Sequence, residues 1–115
     1  MTAPIIGIVR IANDVLADLA GYAALEVYGV VGMAAPSLRD GVAQVLSLDK
    51  LRKGVMVTGD GESVAVDLYV VVEHGTNIAE VSKNLAGRVE YVLTKMADVK
   101  VMNVEVHVQG IKVRK

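Results

Sequence analysis

The sequence predicts an α+β fold, a two-layer sandwich in which a small mixed β-sheet is covered on one face by two long helices. Apolar residues recur every three or four positions over residues 13–28 and 77–96, which is the period of an amphipathic helix. Residues 55–73 and 99–109 instead alternate, which is the period of a strand. A helix between two strands makes a crossover unit, so the last two strands are expected to be parallel. The chain has room for a single domain, residues 1–115.

The remaining elements are shorter. Residues 5–11 are predicted to form a first strand, and Asn13 is predicted to cap the first long helix. Residues 36–46 suit a short second helix, because leucine and valine recur there at helical spacing. Residues 47–54 follow as a charged connector.

The hairpin and the last strand have two different faces. Asp60-Gly61 is the predicted turn of the hairpin, since glycine there supplies a positive φ. The apolar faces are expected to pack against the helices; they carry Val64, Val66, Leu68, Val70 and Val72, then Met102, Val104, Val106 and Val108. The polar faces are expected to be open to water or to a partner; they carry Asp67, Tyr69, Glu73, Glu105 and His107.

The first long helix has a second, unusual side. Ala17, Gly21 and Ala24 form a stripe of small residues on the side opposite its apolar face. Small residues let another backbone approach closely, so this side is expected to be covered as well. Either an internal neighbour or a second subunit would cover it.

Composition restricts the classes of function. Apolar residues make up 53% of the chain, yet Phe and Trp are absent and valine supplies 23 positions, so we expect self-association to cover some of this surface. A net charge of −1 predicts no nucleic-acid partner. The absence of cysteine excludes thiol chemistry, and no signal peptide is recognisable, so a cytoplasmic location is expected. The longest stretch without charge, residues 27–38, is too short to span a bilayer.

Catalytic and metal-binding residues are scarce. His74 and His107, with Glu73 and Glu105, could in principle make a divalent-metal site. Strand alternation argues against this, because His74 follows Glu73 and should point away from it. No nucleophile elbow, phosphate loop or dinucleotide motif occurs. We therefore expect no enzyme activity, no cofactor and no metal, and interpret these residues as surface polar groups.

The stretch "GVVGM", residues 29–33, resembles a nucleic-acid-clamping loop only in its glycine spacing. Such loops need basic flanks, and none is present here. A structural interpretation fits better. Gly29 is predicted to end the first helix as its C′ residue, and Val30 to re-enter the core. Gly32 then gives a second bend, and Met33 fills a gap in the core or contacts a subunit.

Several short pieces of the sequence match the pattern of one family. The most specific of them are Gly29-Val30-Val31-Gly32-Met33, Val66-Asp67-Leu68, Gly75 with Ile78 and Val81, and Asn103-Val104 before Gly110. With these pieces, nearly the whole chain resembles the alkaline-shock, general-stress family of bacterial envelope stress response proteins. The chain departs from the usual family pattern at His74, where tyrosine is common, and at Ala97-Asp98, where a glycine usually ends the helix.

This resemblance implies a non-enzymatic protein that gathers beneath the inner face of the cell membrane and self-assembles. It also implies a small membrane-anchored relative as a tether. Short members of the family often occur beside a dihydroxyacetone-kinase-like protein linked to fatty-acid use, so an adaptor role for such an enzyme is the alternative. Either role would use a surface, and Ala17, Gly21 and Ala24 or the polar face of the sheet are the candidates.

Overall fold

The computed structural model describes residues 12–37, 43–59 and 63–113. The strand predicted at 5–11 and the turn at Asp60-Gly61 lie outside these residues. The described elements, in chain order, are α1 (Asn13–Leu25), β1 (Val30–Met33), a 3₁₀ helix (Leu48–Gly54), β2 (Val55–Gly59), β3 (Ser63–Glu73), α2 (Ile78–Ala97) and β4 (Lys100–Lys112).

The sheet is built around β3. β4 pairs with β3 in parallel along its whole length, from Ser63 to Glu73. β2 pairs antiparallel with Val64–Leu68, and β1 pairs antiparallel with Val70–Val72. Because a strand has only two edges, β1 and β2 share the edge of β3 that β4 leaves free. The sheet is therefore mixed, and β4 is an outer strand among the four that the structure describes.

Both long helices pack against each other and cover the same face of the sheet. On that face β3 contributes a fully buried row, Val64, Val66, Leu68, Val70 and Val72. β-branched and leucine side chains pack well on a pleated surface, which explains how this core forms without Phe or Trp. The predicted α+β fold, with a mixed sheet under two helices, is confirmed.

The register of β4 shifts twice against β3. Val64 faces Val101, but Ala65 faces Asn103, so Met102 is an extra residue in β4. This shift removes Met102 from the inner face and leaves its side chain 60% exposed. Val101 packs against the core in its place. The prediction that Met102 belongs to the inner face was therefore wrong. The second shift leaves Gln109 extra, between Val108 and Gly110.

α1 is shorter than predicted. It ends at Leu25, and Glu26 is its C-cap, so Gly29 is not the C′ residue. Gly29 has φ +97°, and a Cβ there would lie 2.8 Å from Val81 Cγ2. Glycine is required because the chain turns into β1 in a left-handed conformation close to α2. Asn13 is likewise not the N-cap, and its side chain donates to the Val57 carbonyl at 3.3 Å.

The link between α1 and the hairpin also differs from the prediction. Val30 begins a strand, so its return to the core is confirmed, and Met33 is fully buried there. The short helix predicted at 36–46 is wrong over 36–37 and 43–46, and Val45 instead pairs with Ala34 in an isolated bridge. Residues 38–42 lie outside the described part of the chain.

The small-residue stripe of α1 is covered from within the chain. Ala17, Gly21 and Ala24 are buried, and a Cβ on Gly21 would lie 3.1 Å from Leu51 Cβ. Leu51 belongs to the 3₁₀ helix that replaces the predicted connector. Of the two alternatives for this stripe, the structure shows the internal neighbour, and the stripe offers no exposed surface for a second subunit.

α2 agrees with its prediction. Asn77 caps it, and its side chain accepts a hydrogen bond from Glu80 N at 3.1 Å. Asp98 follows the last turn with φ 54°, a left-handed conformation usually taken by glycine. Asp98 thus makes the turn into β4 where the family pattern has a glycine stop.

Candidate functional site: the open face and outer edge of the sheet

The face of the sheet away from the helices is covered only in part. Near the end of β3, Val71 packs with Ala34 and Ala43 in a small second cluster. Gln109 Nε2 fastens this segment by donating to the carbonyl oxygens of Ala35, at 3.2 Å, and Pro36, at 2.7 Å. The half of the face that lies nearer the start of β3 carries no such covering among the described residues, and we call it the open face.

Four side chains of the open face form one contact group. Asp67 faces Glu105 in the β3–β4 register, and Tyr69 faces His107. The imidazole of His107 stacks on the ring of Tyr69, with centroids 4.5 Å apart and planes 11° from parallel. His107 Nε2 lies 2.9 Å from Asp67 Oδ1 and 3.7 Å from Glu105 Oε1. Parallel pairing thus brings together residues that lie about 40 positions apart in the sequence.

The electrostatics of this group are unbalanced. Two carboxylates stand on neighbouring strands, and directly opposed like charges destabilise a sheet. Within the described residues no Lys or Arg lies within 4.0 Å of Asp67 or Glu105, and the only nearby base is His107. The Asp67 and His107 side chains are about one third exposed, and Glu105 about two thirds, so all three remain accessible from outside.

The other predicted site residues lie apart from this group. His74 is exposed in the turn after β3, and its backbone N–H donates to the Lys112 carbonyl at 2.7 Å. Gly75 completes that turn with φ +92°. Glu73 is half-buried at the end of β3, and Asn103 is exposed on β4 opposite Ala65. The metal set considered from sequence, with His74 and Glu73, therefore does not assemble.

Among the described residues, β4 presents a free edge. Along its length β4 pairs with β3 alone in the part of the chain that the structure describes. Three large apolar side chains in or beside it are more than half exposed, namely Met102, Ile111 and Val113. Lys100 and Lys112 stand at its two ends. A long edge strand with apolar side chains is a template for pairing with another chain.

A shallow groove lies at the start of α2. It has a volume of about 330 Å³ and is lined by Tyr28, Thr76, Glu80 and neighbouring residues. Tyr28 is 84% exposed at its rim. The groove holds no cluster of metal-ligating side chains among the described residues.

The structure is thus a small α+β domain in which the open face of the sheet and the outer edge of β4 are the accessible surfaces of interest. The chain belongs to the alkaline shock protein family, described as having a cell envelope-related function, whose model matches residues 2–113. The resemblance identified from the sequence is thereby confirmed.

Bacterial relatives and one group of solved structures are similar to the chain. The protein YloU of Bacillus subtilis is 37% identical over 108 residues, which cover 93% of this chain and 90% of YloU. A Streptococcus pyogenes protein named as a homolog of the stress response regulator gls24 is 26% identical over 99% of this chain and 64% of its own length. A zinc form of a MamM CTD variant shares the fold, with a TM-score of 0.50, 13% identity, and coverage of 90% of this chain and 87% of that one.

The length and hydrophobicity of the helices show whether either could cross a membrane. Within the described residues, neither long helix combines the length and the apolar character that a membrane crossing needs.

Proposed function

We propose that this protein is a non-enzymatic, cell-envelope interaction protein that self-associates through the edge of β4 and is recruited to the membrane by a partner. The free edge of β4 carries the proposal. The family's envelope-related function and the relative named after a stress response regulator support a role in envelope stress.

The edge favours a second copy of the chain as its occupant. Each backbone N–H and C=O that points outward from β4 can be paired by an extended segment laid beside it, and β4 is 13 residues long. An identical β4, related by a two-fold axis, supplies a segment of matching length in antiparallel orientation. Such pairing would also cover Met102 and Ile111, which the single chain leaves exposed.

Charged residues on the edge should weaken this association. The test is the double variant Met102→Lys with Ile111→Lys, studied by sedimentation velocity over a range of concentrations. We expect the unmodified protein to associate as concentration rises and the double variant to remain a monomer. Both side chains are more than half exposed, so the free energy of unfolding should change by no more than about 0.5 kcal/mol.

Met96→Lys is the matched control. Met96 is 68% exposed but lies on α2 rather than on the edge strand, so this variant should associate as the unmodified protein does. An unmodified protein that stays monomeric at every concentration would contradict self-association. A double variant that associates normally would remove β4 as the contact.

A second candidate function is an adaptor that binds a kinase-like metabolic enzyme on the open face. The accessible, stacked pair of Tyr69 and His107 favours it, because a rigid ring on an accessible face is a common anchor for a partner. Crosslinking in the native bacterium, followed by mass spectrometry, distinguishes the two candidates. Self-crosslinks together with a membrane-anchored protein support the envelope role.

Recovery of a kinase-like enzyme instead would support the adaptor. That recovery should be lost when Tyr69, Glu105 and His107 are all changed to Ala, and kept when Tyr91, which is exposed on α2, is changed to Ala. Persistence in the triple variant would exclude the open face as the docking surface.

A further inference from the structure

We infer that Asp67, Glu105 and His107 form a binding site for a divalent transition-metal ion of the Zn²⁺ class. These three residues are referred to below as the trio. The inference goes beyond the proposed function, since association through the β4 edge does not require it.

The spacing of the trio suits a single ion. One ligand atom from each residue can be chosen so that all three lie within 4.8 Å of one another. Zn²⁺ binds imidazole nitrogen and carboxylate oxygen at about 2.0–2.2 Å, which places neighbouring ligand atoms of a tetrahedron about 3.3 Å apart. The distances from His107 Nε2, 2.9 Å to Asp67 and 3.7 Å to Glu105, lie on either side of this value. A small rotation of the exposed Glu105 side chain completes the set.

The strands hold the two carboxylates in place. Asp67 and Glu105 are register partners, so the backbone fixes them side by side on one face. Their mutual repulsion lacks a Lys or Arg to offset it among the described residues. A dication between them would remove that repulsion, and it would do so without any movement of β3 or β4.

The imidazole of His107 is oriented toward the space between the two carboxylates. Tyr69 stacks on the imidazole and fixes the plane of the ring, while Nε2 is directed at the carboxylates. Orientation of a metal ligand by a neighbouring group is a regular feature of metal sites. Tyr69 is therefore a positioning residue of the trio.

The donor set selects the class of metal. One imidazole and two carboxylates suit Zn²⁺ and similar transition metals, whereas Mg²⁺ prefers an octahedral shell of oxygen. Three protein ligands also leave a fourth position for water or for a donor from another molecule.

The test is calorimetric titration of Zn²⁺ into chelator-treated protein, with Mg²⁺ as the comparison ion. We expect saturable binding of one Zn²⁺ per chain and no comparable binding of Mg²⁺. Loss of an orienting neighbour alone weakens metal sites about 10–100-fold. His107→Ala, which removes a ligand, and Asp67→Asn, which removes the charge of one, should each weaken binding at least about tenfold.

The chain supplies its own control. It has two histidines, and His74 lies in the turn after β3, outside the trio. His74→Ala should bind Zn²⁺ as the unmodified protein does, and an NMR spectrum of the two imidazoles should show the His107 ring alone shifting on titration. Absence of saturable binding, or equal weakening by His74→Ala and His107→Ala, would overturn the inference. The Met102→Lys and Ile111→Lys variant should keep the Zn²⁺ site, which separates this result from the association test.

Discussion

α1 carries a stripe of small residues, and β4 carries an outer edge that no described strand pairs. These two surfaces differ in what covers them. Leu51 of the 3₁₀ helix lies against Gly21, and Ala17 and Ala24 are buried, so close packing at α1 is satisfied internally. Nothing in the described part of the chain lies along the outer edge of β4. A stripe of small residues in a sequence therefore predicts close packing, but it does not show whether the neighbouring element belongs to the same chain or to another subunit.

The difference separates stability from association. α1 and the 3₁₀ helix pack together in the interior, so substitutions there should change the free energy of unfolding. The β4 edge contributes little to the single chain, so substitutions there should change only the contacts between copies. The following predictions test this separation, from the largest expected effect to the smallest.

Gly21→Leu should give the largest effect. A Cβ at this position already lies 3.1 Å from Leu51 Cβ, and the remaining atoms of leucine would push the 3₁₀ helix away from α1. Overpacking of this kind costs about 1–3 kcal/mol, and the upper end is expected here because backbone must move. Thermal unfolding should show a midpoint lowered by several degrees, with association in sedimentation velocity unchanged for the folded protein.

Gly87→Leu is the control for that change. Gly87 also lies in a helix, but nothing lies within 4 Å of a Cβ built on it. Leucine should therefore raise stability by up to about 0.8 kcal/mol through helix propensity alone. If the two variants had equal stability, the packing of Leu51 on Gly21 would not be a source of stability.

Asp98→Gly should give a smaller effect, in the stabilising direction. Asp98 has φ 54° and places a negative charge at the C-terminus of α2. Glycine removes both the left-handed strain and the unfavourable interaction with the helix dipole, for a gain of about 0.5–1 kcal/mol. Chemical denaturation measures it, and Asp98→Ala, which keeps the strained φ, should be less stable than Asp98→Gly. A gain in stability without a change in association would sharpen the separation.

Arg52→Gln should give the smallest effect. Arg52 donates to both carboxylate oxygens of Asp18, at 3.2 and 2.8 Å, and lies 3.3 Å from Asp14, so it links the 3₁₀ helix to α1. Hydrogen bonding to Asp18, together with its charge, raises the pKa of Arg52 above its usual value. A raised pKa stabilises the folded state at every pH below the pKa of the unfolded chain, and this stabilisation is lost only as the pH rises through the folded pKa. Arg52 therefore stays charged from acid to well above neutral pH.

Around neutral pH the contribution of Arg52 should therefore depend on salt more than on pH. The pair is exposed, and salt screens exposed pairs. The melting temperature of Arg52→Gln should lie slightly below that of the unmodified protein in dilute buffer and approach it in 1 M salt, a concentration at which the Debye length is about 3 Å. A gap that stayed constant with salt would assign the effect to packing of the arginine stem instead.

Periodicity was enough to predict the long elements. α2, both arms of the hairpin and β4 were recognised because each keeps one period over many residues. β1 was missed as a strand, since four residues are too few for a period to show. The segment around Val45 reads as a helix by spacing, yet it pairs with Ala34, because tertiary contact overrides a weak local pattern.

The site could be predicted only in part. Alternation correctly placed Asp67 and Glu105 on one face with His107. It could not predict which residues touch, because the register of β4 depends on the extra residue Met102, and apolar alternation does not announce such a shift. Gln109, which holds down Ala35 and Pro36, owes its position to the second shift.

Within residues 12–37, 43–59 and 63–113, β3 is paired on both edges while β4 is paired on one. This difference has a consequence for the exchange of amide hydrogens with solvent. The amides of β3 are enclosed between β4 on one side and β1 and β2 on the other, so they should open only when the whole domain unfolds. In β4 alternate amides point outward and should exchange rapidly in a single chain. Slow exchange of those outward amides at high protein concentration would reveal, residue by residue, where a second chain lies along the edge.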